Sequence, residues 1–147
     1  MRLRCRWAVA MGSLLLASCA TEADALCDEF DRVVEAQAGA PRPDPLEIAE
    51  RYRELATGHE RVARALDGDD AAESTFELAD LYRRGADILD EHAGADRQRL
   101  DELFSESAVL VSLDERMSAG VALGFTRPAW NEISARCDVA VDPPADP

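Results

Sequence analysis

His59 and His92 are the only imidazoles in this 147-residue sequence, so any proton transfer near neutral pH would fall first on them. His59 lies on the apolar stripe of an amphipathic run, where a hydrogen-bonded, half-buried ring is the expected role. His92 follows Glu91 near a helix C-terminus, where a cation pairs favourably with the helix dipole. Neither has a nucleophile placed beside it. There is no nucleophile elbow, no His-Glu-x-x-His and no Ser-x-x-Lys, Lys being absent from the chain. Asp67-Gly68-Asp69-Asp70 with Glu73 superficially resembles a calcium loop, since closely spaced carboxylates can wrap a hard cation. The detail fails: Gly stands second, Ala72 sixth, and Glu seventh instead of twelfth. A helix-capping turn accounts for the same residues. Other carboxylates, such as Asp28, Glu29 and Asp31 or Asp101 and Glu102, occupy polar helix faces. No catalytic residue, metal set or cofactor is therefore expected, and an enzyme would need two carboxylates brought together from different helices.

Sixteen arginines stand against 30 acidic residues, a formal charge of -14. That field repels nucleic acid and anionic lipid, excludes a nucleic-acid binder, and favours basic partners or loosely held divalent cations. With 47% apolar residues and long amphipathic runs, the chain can build a core, which argues against disorder and for one small domain.

The first 18 residues fall into a basic start with Arg2, Arg4 and Arg6, an apolar stretch from Trp7 to Leu16, and the small residues Ala17 and Ser18. This is the pattern of a secretory signal peptide, too short to span a membrane, and without an Arg-Arg pair for the twin-arginine route. Leu16-Ala17-Ser18-Cys19 then resembles the lipobox of bacterial lipoproteins at every position. The resemblance implies a diacylglycerol on the Cys19 sulfur, cleavage just before it, and a mature chain tethered to the membrane through Cys19 on the extracytoplasmic side. Two acyl chains anchor far more firmly than one. Ala20 in place of Asp leans toward an outer membrane where there is one. The Arg-rich, Lys-free composition suggests a high-GC bacterial genome, and the chain is similar in outline to small helical lipoproteins of such bacteria, a likeness that carries no activity. Loss of the three signal arginines takes the formal charge from -14 to -17.

On that resemblance the four cysteines reduce to two. Cys5 leaves with the signal and Cys19 carries lipid, so Cys27 and Cys137 remain to form one disulfide in an oxidising compartment. Both fall at helical spacing from apolar neighbours, Phe30 and Val34 for Cys27, Trp130 and Ile133 for Cys137. Two buried free thiols are the alternative, and a zinc site lacks further ligands.

The domain that positions these residues reads as helical throughout. A first helix is expected from Thr21 to about Ala38, and a break with three prolines at Gly39–Pro45. Asp44 then caps a second helix with Pro45 first and Glu47 third. Its stripe is Leu46, Ala49, Tyr52, Leu55, Ala56, His59, Val62, Ala63 and Leu66. A third helix opens with Asp70 and Glu73 spaced as a capping box, carries Phe76, Ala79, Tyr82, Ala86 and Leu89 inward, and stops by Gly94. A fourth is expected over about Asp96–Met117, with Leu100, Leu103, Phe104, Ser107, Val111 and Met117 inward and a restart at Ser112–Glu115. Gly120–Phe125 reads as an apolar loop. A short fifth helix starts near Thr126–Pro128 and carries Trp130, Ile133 and Cys137.

The expectation is an all-α antiparallel four-helix bundle with a short fifth C-terminal helix, clasped by one disulfide. Residues 1–18 would be signal, 19–24 lipidated Cys and tether, 25–140 the bundle, and 141–147 a fraying tail. The leading functional expectation is a non-enzymatic, lipid-anchored module of the cell envelope that binds an envelope protein or component, more readily a basic one. The alternative is a carrier of a small ligand or metal ion, in an interhelical pocket lined by Tyr52, His59, Tyr82 and Trp130.

Overall fold

The computed structural model describes residues 21–38, 44–118 and 125–139. The signal segment, Cys19, most of the Gly39–Pro45 and Gly120–Phe125 stretches and the C-terminal tail lie outside the described residues. Within them the chain is all-helical, with α1 (Thr21–Ala38), α2 (Pro45–Ala65), α3 (Asp69–Glu91), α4 (Arg97–Glu106), α5 (Ala108–Ser118) and α6 (Arg127–Arg136). No described helix is long and apolar enough to cross a membrane.

The α2–α3 hairpin makes the most extensive helix contact. At its start the Asp44 carboxylate accepts from the Leu46 amide at 2.8 Å, with Pro45 in the first turn, as the capping signal predicts. Two exposed ion pairs, Arg53 with Asp90 and Arg83 with Glu60, bridge the helices in antiparallel register. Exposed pairs of this kind contribute at most about 1 kcal/mol each, so the hairpin is held by its apolar stripe. Gly85 of α3 lets three helices meet. A Cβ there would lie 2.5 Å from Leu113 Cδ1 of α5 and 3.0 Å from the Tyr52 ring of α2. α1 lies along α2, where Arg51 donates to the terminal carbonyls of Ala36 and Gln37 at 2.9 and 2.5 Å.

Three details differ from the sequence expectation. The stripe of α3 runs through Ala71, Thr75, Leu78, Ala79, Tyr82, Gly85, Ala86 and Leu89. Thr75 is buried because its hydroxyl donates to the Ala71 carbonyl at 2.7 Å, whereas Phe76, one residue and about 100° further round, is 39% exposed. Leu46 is likewise half-exposed, at the outer edge of the first turn of α2. The expected fourth helix is two helices, broken at Ser107 and continuous through Ser112–Glu115. Ser107 takes an extended conformation, ends α4 with its amide on the Leu103 carbonyl, and accepts from the Leu110 amide at 3.4 Å to start α5. The break shifts the helical phase, so Leu110 and Leu113 are fully buried while Val111 and Met117 are only half-buried.

Cys27 of α1 and Cys137, the residue that ends α6, form a disulfide with Cα atoms 5.4 Å apart and a sequence separation of 110. Closing a loop of that length removes conformational freedom from the unfolded chain worth up to about 4.7 kcal/mol in the chain-entropy account. Cys27→Ser is expected to lower the melting temperature and leave Cys137 open to alkylation. Unchanged melting under oxidising conditions would remove the disulfide from the stability of this domain.

Candidate functional site

Three of the four residues expected around a pocket meet each other. The Tyr52 and Tyr82 rings lie edge to face at 5.6 Å, and the His59 imidazole stacks on Tyr82 at 5.1 Å. Trp130 joins them indirectly: His59 contacts Phe125 at 5.1 Å, Phe125 contacts Phe30 at 5.9 Å, and Phe30 contacts Trp130 at 6.0 Å. The result is one chain of six rings from α1, α2, α3, α6 and the residue ahead of Thr126, every ring buried. Each ring fills space beside the next, and such pairs add about 0.5–1.5 kcal/mol beyond their buried area.

His59 is fully buried. Its Nδ1 lies 2.7 Å from the Leu55 carbonyl and donates to it, which leaves Nε2 as the unprotonated acceptor, and Nε2 has no hydrogen-bond partner. Burial lowers its pKa from 6.5 to about 4, against the opposing pull of the Leu55 carbonyl. The imidazole is therefore neutral at pH 7 and packs as a flat, largely apolar plate. Burial also pushes the Tyr52 and Tyr82 hydroxyls above their ordinary range, so both stay protonated. Tyr82 Oη accepts from Gln37 Nε2 at 3.1 Å. His92 lies apart at the end of α3, where its Nδ1 meets the Ile88 carbonyl at 2.8 Å.

A second cluster closes the same end of the molecule. The Leu66-Asp67-Gly68 link between α2 and α3 is too short to turn back on its own amides, and α3 receives no side-chain cap from its neighbours in sequence. The Asp70–Glu73 capping box is not formed, because the helix already starts at Asp69 with Gly68 as its cap residue. Glu132 of α6 binds the link itself: Asp67 and Gly68, ahead of α3, donate their amides to its two oxygens at 2.5 and 3.0 Å. Arg136, one turn on, donates to the Ala65 carbonyl at 3.0 Å and to Glu132 at 2.9 Å. Partial burial opposes ionisation of Glu132, but the two amides and the Arg136 guanidinium outweigh it and hold the carboxyl below the usual carboxylate range. Sequence reasoning missed this pair. Its signal was the i, i+4 spacing of an acid and a base on a short helix, which a surface pair shares.

Among the described residues, no three His, Cys, Asp or Glu side chains are grouped as a metal would require. In the Asp67–Asp70 turn, the amides of Asp67 and Gly68 are held by Glu132. Comparison with protein family models, with characterised proteins and with solved structures gives no match.

Because the folded chain resists protonating His59 until about pH 4 and the unfolded chain accepts a proton near 6.5, stability falls as pH falls through that window. The loss reaches roughly 3 kcal/mol at its acid end. Urea unfolding at pH 7 and pH 4.5 should show a shallower pH dependence for His59→Leu than for the wild type; equal slopes would contradict the assignment. Glu132→Ala should cost about 1–3 kcal/mol, the range of lost hydrogen bonds to a charged group, seen as a lower urea midpoint at unchanged m-value.

Proposed function

We propose that this chain is a lipid-anchored, extracytoplasmic helical protein with a binding or structural role at the cell envelope and no reaction of its own. The observation that carries the reading is Leu16-Ala17-Ser18-Cys19, placed after a basic start and an apolar run and directly ahead of the helical domain. The Cys27–Cys137 bond supports it, because such bonds persist where the compartment is oxidising. On this reading α1, α2, α3 and the α4–α5 pair make an antiparallel four-helix bundle, α6 is the short fifth helix, and two acyl chains on Cys19 hold the domain at the membrane. Basic partners suit the strongly acidic surface. Mutual packing of Tyr52, His59, Tyr82, Phe125, Phe30 and Trp130 favours recognition through the surface over carriage of a ligand among those rings.

Cys19→Ser expressed in a Gram-positive or Gram-negative host should leave the membrane fraction and appear as soluble or unprocessed protein. The intact mass of the wild type should begin at Cys19, carry acyl groups, and be two hydrogens lighter than the reduced chain. A Cys19→Ser protein that stays membrane-bound, or a wild type without added acyl mass, would overturn the anchor.

A further inference from the structure

Antiparallel packing of α1 on α2 leaves an open groove of about 410 Å³ along their outer face. Its floor is apolar and narrow. Gly58 of α2 lies so close to α1 that a Cβ there would come within 2.7 Å of Val33 Cγ2, and Ala36 continues the floor. The groove's charges are sorted along its length. At one end the Glu29 carboxylate is shared by two guanidiniums, Arg32 at 2.5 Å and Arg61 at 3.7 Å, which leaves that end net positive. At the other end stand Glu50, Arg53 and Glu54. Arg53 is turned to Asp90 of α3 and Arg51 to the Ala36 and Gln37 carbonyls, and among the described residues no ion pair engages Glu50 or Glu54, so that end presents two carboxylates.

The separation of the two ends sets the size of a ligand. Seven residues of α2 separate Glu54 from Arg61 and eleven separate Glu50 from Arg61, which at 1.5 Å per residue is about 10 to 16 Å. An extended peptide covers about 3.3–3.6 Å per residue, so three or four residues place a terminal ammonium and a terminal carboxylate at that spacing. We propose that this groove binds a short peptide of three or four residues with both termini free, its carboxylate at Arg32 and Arg61 and its ammonium at Glu50 and Glu54. The backbone lies over Val33, Ala36 and Gly58, where the apolar floor accepts small side chains. Dipolar complementarity orients the peptide, and a chain blocked at either end loses one of the two anchors. The site rests on neither the lipid anchor nor the aromatic core.

The test is titration of the full chain, disulfide intact, with trialanine, followed by isothermal calorimetry and by NMR shifts of Gly58 and Thr57. Trialanine should saturate a single site, while N-acetyl-trialanine and trialanine amide should each bind more weakly, by up to about five-fold, the scale of one exposed ion pair. Arg61→Gln should weaken trialanine binding and reduce the penalty for the amide while leaving that for the acetylated peptide unchanged; Glu54→Gln should do the converse. Both side chains are exposed, so unchanged melting temperatures will show that the variants fold. Absence of saturable binding, or equal affinity for free and blocked peptides, overturns the proposal.

Discussion

A three-residue link between two long antiparallel helices leaves backbone groups that its own side chains cannot reach, and the Glu132–Arg136 pair of α6 satisfies them. Glu132 takes the two amides ahead of α3, and Arg136 takes a carbonyl at the end of α2. The helix-terminal dipoles reinforce both contacts, an anion at the start of one helix and a cation at the end of the other. This requirement places α6 across the hairpin end, and the rest of its packing follows. Ala129, Trp130 and Ile133 are buried on the inner face, and the Cys27–Cys137 bond ties its last turn to α1. A helix of ten residues would be marginal alone. Here it is held by a covalent bond, a polar clasp and an apolar face together.

The burial of His59 depends on the same closure. Its ring lies between Tyr82 of α3 and Phe125, the residue that leads into α6, and Phe125 and Trp130 both contact Phe30 of α1. Leaving Nε2 without a partner costs on the order of 1–3 kcal/mol, which the surrounding aromatic packing and the Nδ1 bond offset. A neutral imidazole of this kind acts as a packing element. Polar groups are organised on the surface instead: the clasp at one end of the hairpin, the groove between α1 and α2 on its side.

Much of this arrangement can be read from local signals. Asp44-Pro45 marks the start of α2 because both the cap and the proline act within one turn, and the stripe from Ala49 to Leu66 is buried as its 3.6-residue spacing requires. The pairing of Cys27 with Cys137 followed once Cys5 and Cys19 were assigned elsewhere. Tyr52, His59, Tyr82 and Trp130 are expected from the sequence around an interhelical pocket; the first three pack on one another, and Trp130 joins them only through Phe30 and Phe125. The errors have a common origin. Residue types and spacing around Ser107, Phe76 and the Asp70–Glu73 box favour one outcome locally, whereas the helix starts at Asp69, Ser107 adopts an extended backbone, and Phe76 lies on the face turned to solvent.

Composition and period were enough to determine an all-helical chain, its acidic surface and most of the residues that enter its core, because burial of an amphipathic stripe depends on spacing within one helix. Tertiary structure alone decided that Glu132 would hold the two amides ahead of α3, that Phe125 would cover His59, and that arginines and glutamates of α1 and α2 would line a groove. Those outcomes depend on the rotation and offset of helices about each other. They are set by close approach at Gly58 and Gly85, where a missing side chain admits a neighbour that no pattern within a single helix can name.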